Sequence, residues 1–201
     1  MIMFNNLIPS KDTAKDLFPA FSRVMTSGRY IGGEEVELFE REFANYVGSA
    51  HCIAVGNGFD ALQIALKAVG IGPGKTVAVP TNTCIPTWAA VHNVGATIVP
   101  VEPADEYLIT AKYIPCDAED AIVPVHLLDA IIPVHLYGNP ISKNEIDKMI
   151  LSGAVVIEDA CQAHGSYADG HHAGTMGHMG CFSFYPTKNR MLRGWGCHRY
   201  K

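Results

Sequence analysis

The chain is poor in the features that would commit it to a nucleic acid, a membrane or an oxidising compartment. Charged residues make up only 17% of it, and 20 acids outnumber 15 bases for a net charge of −5. A basic patch for nucleic acid is therefore not expected. No apolar run is long and unbroken. The most apolar stretch, 121–138, is interrupted by Pro124, His126, Asp129, Pro133 and His135, which argues against a membrane span. Residues 1–16 lack the basic start and apolar core of a signal peptide. Six cysteines occur without any C-x-x-C pair, and Cys52 and Cys181 sit in apolar runs. That usage suggests buried thiols in a reducing cytoplasm rather than a disulfide framework.

What is present is core material. The 201 residues are 48% hydrophobic, enough for one globular domain spanning 1–201. Residues 1–33 carry little regular pattern, with glycines 28, 32 and 33 marking a turn-rich entry. Val36, Phe39, Phe43 and Val47 then share one face of a helix over 34–47, which Gly48 can end. Cys52–Val55 reads as a short buried strand, followed by Gly56-Asn57-Gly58 and a helix over 60–69. A strand, a glycine turn and a helix N-terminus can cradle a phosphate on free N–H groups, although a plain turn has the same pattern. Thr76–Val79 and Thr97–Val101 are further strands, separated by a short helix that runs through Val94. Ile122–Leu127 is nearly repeated at Ile131–Leu136, and the second copy is assigned to the sheet. Ser142-x-x-Glu145 forms a capping box for a helix over 143–151.

Two later stretches carry the chemistry. Val155-Val156-Ile157 is a buried-type strand running into Glu158-Asp159, with Gln162 and His164 just beyond. Cys181 to Tyr185 is an apolar β-type run that breaks at Pro186, which puts Lys188 on a loop past a strand's C-terminal end. In open α/β sheets that edge is where ligands bind. A lysine there is either a solvated charge or an amine used for chemistry. A Schiff-base lysine together with a carboxylate for a pyridinium nitrogen is what a pyridoxal 5′-phosphate (PLP) site requires. His171, His172, His178 and Cys181 do not form two tight ligand pairs, so a zinc site is not expected.

E-D-x-x-Q-x-H-G at 158–165 and S-F-Y-P-T-K-N at 183–189 together resemble the DegT/StrS-type sugar aminotransferases, and V-P-V-E-P at 99–103 resembles the members that act on 3-keto sugars. The resemblance covers about 25–189. It implies an α/β fold: an α/β/α sandwich around a mostly parallel sheet, the large domain of a fold-type I PLP enzyme. It also implies transamination of a nucleotide-linked keto sugar in polysaccharide or glycoside sugar biosynthesis, with glutamate as amino donor, in a cytoplasmic homodimer without nucleic-acid or membrane partners. Lys188 would carry PLP and shuttle the proton, Asp159 would pair with the ring nitrogen, and Gln162 would bond the phenolic oxygen. Ser183 with the Gly58 and Phe59 amides would hold the phosphate, and His164 would support the Asp159 side of the ring. Many members have threonine where Phe59 stands, and an aromatic residue that stacks on the ring where Cys84 stands. Trp88, one turn on, reads as core packing or as a substitute for that stacking.

The tail departs from the family pattern. Asn189 is followed directly by R-M-L-R-G-W-G, without the block that the family carries between, so 190–201 reads as a rearranged or truncated tail and the C-terminal small domain as missing. Two other readings follow from the sequence: a catalytically incompetent fragment that folds and binds PLP or a full-length relative, and a flavodoxin-like nucleotide module. The second leaves Lys188 and Asp159 without a role. Lys188 also argues against the family's dehydratases, which carry histidine there.

Overall fold

A computed structural model of the chain describes residues 11–104, 106–114 and 128–188. The chain divides into two compact units, one of 55–183 and one formed by 1–54 with 184–201.

The unit 55–183 is built on a five-stranded parallel sheet. Its strands are β1 (Thr76–Pro80), β2 (Thr97–Val101), β3 (Ala130–Ile131), β4 (Val155–Asp159) and β7 (Met179–Cys181), in the order β2-β1-β3-β4-β7. A short antiparallel pair, β5 (Tyr167–Ala168) and β6 (His171–His172), stands apart. Val77, Ala78 and Val79 of β1 and Val156 and Ile157 of β4 are completely buried. Continuous burial of this kind is what a parallel sheet covered on both faces demands. α3 (Gly58–Ala68), α4 (Ile85–Asn93) and α5 (Lys143–Leu151) supply cover. Leu62, Ala65 and Leu66 of α3 are buried at helical spacing. Asn57 caps α3 by accepting from Asp60 N–H at 2.9 Å. Ser142 Oγ caps α5 by accepting from Glu145 N–H at 3.3 Å, while Glu145's carboxylate accepts from Ala111 N–H at 2.8 Å.

The other unit carries α1 (Lys11–Ser27) and α2 (Glu34–Val47). Phe43, Ala44 and Val47 are the buried stripe of α2, and Gly48, at φ 80°, closes the helix with its N–H on Ala44 O. Phe184 packs edge-on to both Phe39 and Phe43, with ring centroids 5.4 and 5.3 Å apart.

Four expectations are corrected. Residues 11–27 form a helix, although they show little pattern and hold Pro19 in the interior. Among the described residues there none is fully buried, and the half-buried stripe is Ala14, Leu17, Ala20 and Val24. Small residues at half of those positions mute the periodicity. Cys52–Val55 joins no ladder among the described residues and is not buried; Ala54 N–H goes to Glu40 Oε1 at 2.8 Å. β7 spans 179–181, not 181–185, because its partner β4 stops at Asp159, opposite Cys181. Of the 131–136 strand only Ile131 lies in β3: Pro133 interrupts the run, and Val134 makes a single bridge to Asp159. The first copy, 122–127, and the tail from Asn189 onward lie outside the described residues.

Candidate active site

The C-terminal edge of the parallel sheet collects most of the chemistry. Asp159 ends β4, is buried, and has donors on both carboxylate oxygens. Thr87 Oγ1 donates to Oδ2 at 2.8 Å, and Cys161 N–H donates to Oδ1 at 3.1 Å. Thr83 Oγ1 lies 3.0 Å from Thr87 Oγ1. Since Thr87 spends its proton on the carboxylate, Thr83 is the donor of that pair. The backbone of Asp159 is held as well: its N–H donates to Pro133 O at 2.9 Å, and its C=O accepts from His135 N–H at 3.1 Å. Each carboxylate oxygen has two lone pairs, so an acid fixed in this way can still accept a further N–H.

Gln162 sits in the turn after β4. Its Oε1 accepts from Tyr137 N–H at 2.8 Å. A backbone N–H can only donate, so the amide orientation is set and the NH₂ is the group left for an outside acceptor. Tyr137 is in the left-handed region, at φ 58° and ψ 18°, and Gln162 pins that conformation.

Gly58 opens α3 against the segment that follows β7. A Cβ there would lie 2.8 Å from Cys161 Sγ and 2.8 Å from Ser183 Cβ. Only glycine lets the helix N-terminus come this close to Ser183. Asn57 takes Asp60 N–H, and Ala61 N–H closes the first turn on Asn57 O at 3.0 Å. The first-turn N–H groups of Gly58 and Phe59 are therefore the ones that the helix leaves for an external anion. Cys84 is the N-cap residue of α4, is exposed, and is a free thiol. Trp88 Nε1 donates to Pro80 O at 2.8 Å, and its ring packs on the core. His164 is buried, its ring 5.6 Å from Phe182.

Lys188 belongs to the other unit. There Tyr185-Pro186-Thr187-Lys188 is a turn closed by Lys188 N–H on Tyr185 O at 2.8 Å, with proline at its second position. Phe184 ties this turn to α2, and Lys188 itself is half-buried.

Several residues that organise the site were not anticipated. Thr87 is one: it stands 72 positions from Asp159, and no local pattern links them. Glu158 and His135 are two more. Both are completely buried, with His135 Nε2 2.8 Å from Glu158 Oε2. His135 Nδ1 accepts from Ile141 N–H at 3.0 Å, so Nδ1 carries no proton and Nε2 is the donor to Glu158. Burial alone would push the Glu158 carboxyl up, but the hydrogen bonds from His135 and from Gly177 and Gly174 N–H hold it below the usual carboxylate range. Burial pushes the Cys181 thiol far up, so it is no nucleophile. Two further imidazoles are engaged locally. His172 Nδ1–H donates to Ala173 O at 2.6 Å and its Nε2 accepts from Gly165 N–H at 3.1 Å, while His178 Nδ1 accepts from Val156 N–H at 3.0 Å. Among the described residues no helix is long and apolar enough to cross a membrane.

Residues 11–194 match the DegT/DnrJ/EryC1/StrS aminotransferase family. The chain belongs to that family. It is 44% identical over 176 residues to the dTDP-3-amino-3,4,6-trideoxy-alpha-D-glucose transaminase of Streptomyces venezuelae, covering 85% of this chain and 44% of that protein. The crystal structure of S. venezuelae DesV in complex with a ketimine intermediate superposes with a TM-score of 0.81 at 41% identity, covering 89% of this chain and 47% of that one. NtdA from Bacillus subtilis, with bound cofactor PMP, is similar at a TM-score of 0.77 and 31% identity, covering 91% of this chain and 40% of that one. The chain spans about half the length of the curated relatives it matches.

Proposed function

We propose that this chain is the cofactor-binding large domain of a PLP-dependent aminotransferase acting on a nucleotide-linked 3-keto sugar, with glutamate as amino donor. The observation that carries the reading is the Asp159 arrangement: a buried carboxylate at the end of a central parallel strand, fixed on both oxygens, three residues before an amide turned to donate. PLP, when bound, supplies the electron sink for moving a proton between the amine-bearing carbon and the carbonyl carbon. The chain's own residues do the rest. Asp159 keeps a proton on the ring nitrogen, and Gln162 donates its NH₂ to the phenolic oxygen. Ser183 and the Gly58 and Phe59 N–H groups hold the phosphate dianion at the α3 N-terminus. Lys188 Nζ anchors the cofactor and carries the proton between the two carbons. Cys84 takes the ring-face position and packs there as a soft, polarizable thiol. The relatives support a 3-amino sugar product. A cytoplasmic homodimer is the assembly we expect.

An absorbance titration with PLP tests the cofactor. A borohydride-sensitive band should appear, and peptide mapping after reduction should place the pyridoxyl group on Lys188. A label on Lys75 or Lys143, or a flavin spectrum from the purified protein, would overturn the assignment. Amine transfer from glutamate in a single turnover tests the reaction; cofactor binding without transfer would leave a binding domain and remove the catalytic part of the proposal.

A further inference from the structure

The Glu158 side chain is completely buried, yet it bonds no group expected to touch the cofactor. It receives four donors. Oε2 accepts from His135 Nε2–H at 2.8 Å and from Gly174 N–H at 2.9 Å. Oε1 accepts from Met176 N–H and Gly177 N–H, each at 2.6 Å. Only an ionised carboxylate suits this set, because both oxygens face donors alone. These donors come from two turns, and each turn leads to the proposed site. The 133–141 turn holds Asp159 by its N–H and its C=O, and through Tyr137 N–H it orients Gln162. His135 closes that turn from inside, with Nδ1 on Ile141 N–H. The 174–177 turn feeds β7, which pairs with β4 and delivers Ser183 beside Gly58.

We infer that Glu158 is the positioning residue of the site: one buried carboxylate sets ring-nitrogen acid, phenolic-oxygen donor and phosphate ligand in a common register. This inference rests on the cofactor reading above. A glutamine cannot replace the glutamate. Whichever oxygen became NH₂ would face two N–H donors. His135 cannot relieve the conflict by moving its proton to Nδ1, since Ile141 N–H points there.

Glu158→Gln is tested with PLP as the probe, after circular dichroism and cooperative urea unfolding establish a folded variant. PLP affinity should fall on the order of ten- to a hundredfold, the scale of losing a charge-assisted bond. The absorbance of the bound cofactor should move toward that of Asp159→Asn. In the double variant the two losses should not add, because Glu158 acts through Asp159. Parent-like affinity and spectrum in folded Glu158→Gln, or additive losses, would overturn the inference. If Glu158→Gln does not fold, amide exchange on the unaltered chain decides. The N–H groups of Ile141, Asp159, Gly174, Met176 and Gly177 should open as one block as urea is raised; separate opening of Asp159 would break the link. A parent chain that binds no PLP would defeat the function proposed above, whereas the exchange measurement reports on Glu158 independently.

Discussion

Thr87 Oγ1 donates to Asp159 Oδ2 across 2.8 Å, from the third residue of a short helix to the last residue of a strand. Thr87 is 1% exposed, so water cannot take the place of its hydroxyl. Thr87→Val keeps the shape and removes the donor. A hydrogen bond to a charged group is worth ~1.5–3 kcal/mol, and a buried acceptor left short carries a desolvation penalty. The expected outcome is a variant that still binds PLP but loses on the order of tenfold or more in single-turnover amine transfer. Stopped-flow absorbance with glutamate measures it.

Gly58→Ala probes the proposed phosphate cradle. The new Cβ would sit 2.8 Å from Cys161 Sγ and from Ser183 Cβ, so one of them must move. Overpacking of this kind costs about 1–3 kcal/mol. PLP should bind more weakly and the urea midpoint should fall. Adding Cys161→Ala should restore part of the stability while leaving the contact with Ser183, a partial rescue visible in the same unfolding curves.

Gln162→Glu separates the bond this side chain makes in the structure from its proposed bond to the cofactor. A carboxylate still accepts from Tyr137 N–H, so the left-handed turn survives and stability should change by less than ~1 kcal/mol. It has no N–H for a phenolic oxygen and adds a like charge beside it. PLP affinity should drop at least about tenfold, a difference of ~1.4 kcal/mol. Equilibrium dialysis and thermal unfolding together check the separation; loss of both properties would mean that the turn itself had collapsed.

Acid should unfold the 55–183 unit through Glu158. Its folded pKa is depressed, against burial, by the bonds from His135 and the 174–177 turn. The unfolded chain therefore takes up the proton first, near the ordinary glutamate value of about 4.3. The stabilisation is complete above that pH and is lost as pH falls through the lower folded value. Asp129 shifts in the same direction: burial works against it, but Lys75 and Thr76 overcome the effect. Urea midpoints should hold steady from pH 7 to about 5 and fall steeply below 4. In Glu158→Gln the midpoint should be lower at pH 7 and the acid slope shallower.

Much of this protein was legible in the chain itself. Helix α2 follows from apolar spacing and Gly48, α3 from apolar spacing, and α5 from the cap at Ser142, because those signals are local; the cap at Asn57 came only with the structure. β1, β2 and β4 follow from their apolar runs, and so does the position of Asp159 at the end of β4 with Gln162 in the turn beyond. Tertiary structure decided the rest. The end of β7 was set by where β4 stops, since a strand extends only as far as its partner. Cys52–Val55 has strand composition but spends an N–H on Glu40. The tie from Thr87 to Asp159 and the four donors on Glu158 join residues that only folding brings together, and no period or motif marks them. Local sequence fixes which residue types are available, because capping and periodicity act within a few positions. Long-range hydrogen bonds fix what those residues do, because a buried donor or acceptor must find its partner wherever the chain has placed it.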